Sequence, residues 1–452
     1  MVMLDDVTRL RSYADALGRF AAGTDTPRDF LDRCLVSYTA HENDVQAFVA
    51  VNIDAARASA DAAAARWKAD KPLSRIDGMP IGIKDVIETV DMPTGMGSSL
   101  FEGWRSNRDS ATVRALREAG AIVVGKTVTT EFAATTPGPT RNPHDLTRTP
   151  GGSSSGSAAA VGSGMLSGAL GTQVVGSIIR PASYCGCWGY KPSIGGLNRG
   201  GSHDYMSQSC AGVLAATRAD TWQVAREIVV RAGGDPGFPG IAGPELVPEP
   251  TAPRALAFIE TSGWQTAHHH AKTALEGVIA RLRSAGIDIL TRHSNAQVAA
   301  LEAVLPEVLP LTRKINAWES RWPLNTYEDR DASKLSKPMI QRLREAEAMT
   351  IEEYRAAIAR RREIRATYAA LADIAAACVT LPAPGVAPVG IQSTGDPIFA
   401  VPASLLGAPA LSLPLLTLGG LPLGVQLIGF NERDADLFAT AGSIENIVRH
   451  AP

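Results

Sequence analysis

Apolar and charged positions recur at helical spacing over residues 8–20, 27–42 and 54–70, and each stretch predicts a helix. The pattern then changes. Pro80-Ile-Gly-Ile-Lys84-Asp-Val-Ile87 is short, apolar and β-branched, which predicts a strand. Residues 110–119 return to helical spacing with Ser110 placed as an N-cap, and Ala121-Ile-Val-Val124 reads as a buried strand. This helix–strand alternation predicts an α/β fold with helices on both faces of a sheet.

Further along, residues 149–179 carry no charge. The first half of that stretch is rich in Gly and Ser, as a linker would be, but the second holds Val174, Val175, Ile178 and Ile179, which a linker has no use for. A buried, polar-lined site accounts for both halves. Six prolines from Pro236 to Pro253 mark a loop or an internal boundary. Residues 254–260 then resemble a strand, 271–285 a helix, 411–415 and 423–428 two late strands, and 434–449 a closing helix. Residues 314–372 are charge-rich and helical. The expected organisation is a helical segment over 1–70 packed on the core, a core with the chemistry over 71–230, and the rest of the same domain over 231–452, including the helical insertion at about 314–372.

Residues 398–429 are also uncharged, which tempts a membrane reading, but Pro402, Pro409, Pro414 and Pro422 rule out one continuous helix. The net charge of −2 gives no electrostatic reason to expect nucleic acid or an anionic membrane as partner. Five scattered cysteines make no disulfide framework and fit reduced thiols in a cytoplasmic protein. Met1 to Asp6 carries two acids and has no apolar signal core.

Two motif matches fail on physics. Gly120-Ala-Ile-Val-Val-Gly-Lys-Thr127 spells a phosphate loop, yet its middle residues favour a strand and resist positive φ. Gly152-Ser-Ser-Ser-Gly156 spells a nucleophile elbow, yet turn residues precede it where a strand is required. His268-His-His270 suggests a metal tract, but adjacent histidines on a helix point in different directions, so a solvated helix start is expected.

A third pattern holds together chemically. It joins Lys84, isolated in an apolar strand, to the Gly/Ser loop 151–157 and to Gly176-Ser177 ahead of an apolar run. Hydrolysis through a covalent intermediate needs a nucleophile, a base and oxyanion donors. Lysine acts as a base only when neutral, and burial that lowers its pKa by about 3 units supplies that state near pH 7. Asp85 would oppose this, but on a strand its side chain points to the other face. By itself this spacing leaves a structural, carboxylate-paired lysine as the alternative.

Gly151-Gly-Ser-Ser-Ser-Gly-Ser157, Gly171-Thr-Gln-Val-Val-Gly-Ser177-Ile-Ile-Arg-Pro-Ala-Ser-Tyr-Cys-Gly186 and Gly189-Tyr-Lys-Pro192 resemble the amidase signature, and Asp77-Gly-Met-Pro-Ile-Gly-Ile-Lys84-Asp85 resembles its lysine-bearing strand. Leu421-Pro-Leu-Gly-Val-Gln-Leu-Ile-Gly429 is similar to a late segment of the same family. The resemblance implies one compact α/β domain with a mixed central sheet. It also implies a Ser–cis-Ser–Lys triad: Ser177 acylated, Ser153 bridging after a cis peptide bond, and Lys84 as base. The offset of 24 residues between the two serines is the family's usual spacing. The oxyanion hole implied is the N–H row of Val174, Val175, Gly176 and Ser177, where a positive φ at Val175 would strain its branched side chain. Ala133 and Gly152 are the implied substrate contacts, and Arg180 is expected to anchor the site loop.

The function this implies is an amidohydrolase taking a small amide or carbamate, with an ester as a further option, and using water. It needs no metal or cofactor and binds no nucleic acid directly; a homodimer is compatible with it. The alternative is a glutaminase-type subunit of a transamidating complex. A non-catalytic binding protein is disfavoured because Lys84, Ser153 and Ser177 are present together. Specificity is expected in residues 96–104, 133–139, the loop around 200 and the helical region 314–372.

Overall fold

The computed structural model describes residues 10–450, so the expectations for residues 1–9 lie outside it. Eleven strands form one sheet: β1 (Phe48–Val51), β2 (Pro80–Lys84), β3 (Ile122–Thr127), β4 (Gly168–Gln173), β5 (Trp188–Lys191), β6 (Cys210–Ala215), β7 (Ala255–Phe258), β8 (Asp288–Leu290), β9 (Cys378–Thr380), β10 (Ala410–Leu418) and β11 (Leu421–Ile428). Their order is β1-β3-β2-β4-β6-β5-β10-β11-β9-β7-β8. β2 runs parallel to β3 and β4, whereas β4 and β6 are antiparallel, so the sheet is mixed as expected. β10 pairs with β5, which makes the last quarter of the chain part of the same sheet as the signature segment.

The helices follow the sequence pattern closely, and their caps say why. Thr26 and Ser110 each accept a backbone N–H at the start of Pro27–Val45 and Ala111–Glu118, satisfying donors that a helix leaves unpaired. The first predicted helix is shorter than its pattern: a 3-10 turn at Ala14–Ala16 leads into Leu17–Ala21. The strand expected to reach Ile87 stops at Lys84, because the N–H groups of Val86 and Ile87 both fold back onto the Lys84 carbonyl. That early turn leaves Lys84 at the open end of β2.

The uncharged stretch near the C-terminus is a short helix, Val401–Leu406, followed by the β10–β11 hairpin. Gly419 and Gly420, at φ 58° and 79°, make its tight turn, which residues with a Cβ resist. Pro414 falls where the register shifts between Leu413 and Leu416, so its missing N–H breaks no regular ladder. No helix among the described residues is long and apolar enough to cross a membrane. All five cysteines are buried and unpaired.

The charge-rich region is a helical layer built from Val308–Asp331, Lys337–Ala348 and Ile351–Ala369. The first of these breaks at Trp322, whose ψ of 129° is what a following proline imposes.

Candidate active site

The site forms where β2 and β4 end. Lys84 is fully buried, and its Nζ lies 2.7 Å from Ser153 Oγ and 2.7 Å from Thr172 Oγ1. Burial brings the amine's pKa down to about 7, and the charge of Asp204 opposes that shift. Asp85 turns away, as strand alternation predicts, and pairs with Lys126 at 2.9 Å. The carboxylate that would have kept Lys84 charged is therefore engaged elsewhere.

Ser153 is held by its backbone. The Gly152–Ser153 peptide bond is cis. The Thr130 N–H donates to the Ser153 carbonyl at 3.2 Å. Arg180 donates to the Gly152 carbonyl at 2.8 Å and to the Thr394 carbonyl at 2.7 Å, so it anchors the loop. A β-carbon on Gly152 would sit 2.6 Å from Thr394 Cγ2, which explains the glycine. Ser154 and Ser155 brace the same loop through Thr172 and Val128.

Ser177 lies between β4 and the helix Ile179–Cys185, and its carbonyl accepts the Ser154 N–H at 3.3 Å. The two serine segments are thus bonded through their backbones. The Ser177 hydroxyl has no hydrogen bond of its own among the described residues, so the chain of contacts is closed from Lys84 to Ser153 but not from Ser153 to Ser177.

The loop between them is fixed by a side chain. Gln173 Oε1 accepts the N–H groups of Ile178 at 2.8 Å and Ile179 at 3.1 Å. Its Nε2 donates to Ser404 Oγ, which in turn donates to the Val175 carbonyl. The N–H groups of Val174, Val175, Gly176 and Ser177 enter no turn or loop hydrogen bond among the described residues. Val175 keeps a negative φ, so its branching causes no strain. Replacing Gln173 by leucine strands two buried donors. We expect a stability loss of about 3 kcal/mol in chemical denaturation and a fall mainly in kcat, whereas Gln173→Glu, which keeps the acceptor, should lose much less. Equal losses in the two variants would show that the Oε1 contacts do not matter.

A small pocket has walls that include Met96, Phe132, His203, Tyr205, Tyr327 and Arg342, and neither Lys84, Ser153, Ser177 nor the 174–177 row lines it. All but Phe132 come from segments expected to carry specificity. Phe132 and Tyr327 stack at 4.8 Å. The wall is tied to the Ser153 loop, because Phe132 follows Thr130 by two residues and its N–H bonds the Met96 carbonyl. Phe132 and Ala133 both have positive φ, 48° and 57°, an uncommon backbone state for side-chain-bearing residues. The lining takes Phe132 and Ala134, the neighbours of Ala133, and not Ala133 itself.

The structure also locates the segments of the other motif readings. β3 occupies the phosphate-loop spelling, and no strand among the described residues immediately precedes Ser154. His268 to His270 are exposed at a helix start, and no metal-holding cluster occurs among the described residues. Sequence reasoning missed Thr172, although a lone hydroxyl in the apolar strand Gly168–Gln173 was a visible signal. It also missed the Asp85–Lys126 pair, two opposite charges in neighbouring apolar segments. Ser404 and Thr394 had no local signal, since their partners are more than 200 residues away.

The model of the family described as Amidase matches residues 29–438, so the chain belongs to the amidase signature family. Within it, the chain is 31% identical to a subunit of the glutamyl-tRNA(Gln) amidotransferase of Anaeromyxobacter sp. (strain K), over 94% of each chain. The crystal structure of an amidase superposes with a TM-score of 0.83 at 24% identity, covering 96% of this chain and 99% of the other. The corresponding glutamyl-tRNA(Gln) amidotransferase subunit from Thermotoga maritima superposes with a TM-score of 0.77 at 25% identity, covering 98% and 96%.

Proposed function

We propose that this member of the family is an amidohydrolase working through an acyl-enzyme on Ser177. The observation that carries the reading is the 2.7 Å contact between a fully buried Lys84 amine and Ser153 Oγ. Neutral Lys84 takes a proton from Ser153, which takes one from Ser177 as that hydroxyl attacks the substrate carbonyl. The N–H row at 174–177 receives the developing oxyanion. The proton returns along the same path to the leaving amine, and water then releases the acid. Phe132, Tyr205 and Tyr327 wall a pocket, and Phe132 lies two residues along the chain from Thr130, whose N–H holds the Ser153 carbonyl; this aromatic side suits an apolar or aromatic acyl part. Carbamates and esters present the same carbonyl to the same groups. Unpaired, buried thiols suit a cytoplasmic location.

The likeness to amidotransferase subunits favours a second reading, a glutaminase-type subunit that works with partners. One experiment separates the two. The purified chain alone is incubated with an aryl amide, an aryl carbamate and glutamine, and its intact mass is followed. Hydrolysis of an aryl substrate without partners, with an acyl adduct on Ser177, is the expected result. Activity on glutamine alone, and only after other subunits are added, would favour the second reading.

A further inference from the structure

Two buried lysines stand back to back on neighbouring strands. Ile83 and Lys126 are register partners in the parallel pair β2/β3, as are Lys84 and Thr127. The side chains of Lys84 and Lys126 therefore leave opposite faces of the sheet. Lys84 reaches Ser153, and Lys126 reaches Asp85, the residue after Lys84. Both lysines and Asp85 are almost completely shielded from solvent.

The same pair grips one wall of the cavity. Lys126 Nζ donates to the Pro93 carbonyl at 3.0 Å and to Thr94 Oγ1 at 2.7 Å. Asp85 Oδ2 accepts the Gly95 N–H at 3.0 Å, and the Asp85 carbonyl accepts the Met96 N–H at 2.9 Å. Residues 93–96 thus hang on the pair.

We infer that Asp85 and Lys126 are positioning residues whose charges cancel beside Lys84, so that the base stays neutral while the Met96 wall stays fixed. This rests on Lys84 being the base. Without Lys126, the Asp85 carboxylate would sit one residue from the amine and favour its protonation. Without the carboxylate, Lys126 would be a bare positive charge and would favour the neutral amine further. In the low-dielectric interior either imbalance acts over several ångströms. The remaining group keeps its own hydrogen bonds, Gly95 N–H for the carboxylate and Thr94 Oγ1 for the amine, and these favour its charged form against the burial that pushes the Asp85 carboxyl up and the Lys126 amine down.

Other charges surround the group. Asp204 faces Lys84. Glu88 and Asp91 act on Lys126, and His203 and Arg108 both contact Glu88. None of them lies within ion-pairing distance of Lys84 or Lys126 among the described residues.

The test is the pH dependence of kcat/KM on an aryl amide in Asp85→Asn, Lys126→Gln and the double variant. Asp85→Asn preserves shape, and Lys126→Gln keeps a polar side chain one atom shorter. Lys126→Gln should move the acid limb up by about one pH unit and Asp85→Asn should move it down by a similar amount. The double variant should return close to the parent profile. Shifts of the same sign in both single variants, or a loss of rate with an unmoved limb, would overturn the inference. If Lys126→Gln does not fold, Asp85→Asn decides the matter alone, since an unmoved or raised limb contradicts charge cancellation. Lys84→Ala run in parallel tells the two failures apart: an active Lys84→Ala defeats the proposed mechanism, whereas an inactive one with unmoved limbs defeats only the charge-balancing role.

Discussion

Ser177→Ala is expected to lower kcat/KM on the order of 10⁵- to 10⁶-fold while leaving the protein folded. The size follows from the logic of a covalent site: without the nucleophile, base and relay have nothing to activate, and only oxyanion stabilisation and binding remain. Stability should change by less than about 1 kcal/mol, because the hydroxyl makes no hydrogen bond among the described residues whose loss would strand a partner. Turnover is measured on protein whose thermal melt matches the parent, with the acyl adduct sought by intact mass. An adduct that persists in Ser177→Ala would place the nucleophile elsewhere.

Lys84→Met has the second large effect, and it works in two directions at once. Loss of the base should lower kcat/KM by about 10³-fold or more. The parent's acid limb should lie near pH 7, where the buried amine takes up its proton, with activity falling about tenfold per pH unit below it. The stability effect has the opposite sign. The amine titrates at about 7 in the fold and near the ordinary lysine value when unfolded. Below about pH 7 the folded state must hold a buried charge, and the penalty of about 3 to 5 kcal/mol fades as pH rises from 7 towards the unfolded value. Lys84→Met should therefore be more stable than the parent at pH 6 and lose most of that advantage near pH 10. Urea unfolding at the two pH values checks this. A variant no more stable than the parent at pH 6 would mean that Lys84 is solvated or neutralised by a partner.

The features that were legible in the sequence are those written in local order. Helical periodicity, the Ser110 cap and the isolated lysine in an apolar strand all depend on residues within a turn or two of one another, and the structure keeps them there. The short strands β1, β8 and β9 were not legible, because three or four residues carry too little pattern and owe their pairing to distant neighbours. The same division runs through the site. Lys84, Ser153 and Ser177 stand out by residue type and spacing. Their support by Thr172, Gln173, Ser404 and Thr394 is a property of the assembled sheet. Even the folding of Asp85 onto Lys126 could be foreseen only halfway: alternation said where the carboxylate would not point, but its partner comes from another strand.

The anchoring of the serine loops by Thr394 and Ser404 has a consequence for synthesis on the ribosome. The nascent chain carries Lys84, Ser153 and Ser177 long before the residues that hold their loops have been made. A chain interrupted at residue 390 would contain Lys84, Ser153 and Ser177 and still lack Thr394, Ser404 and the strands β10 and β11.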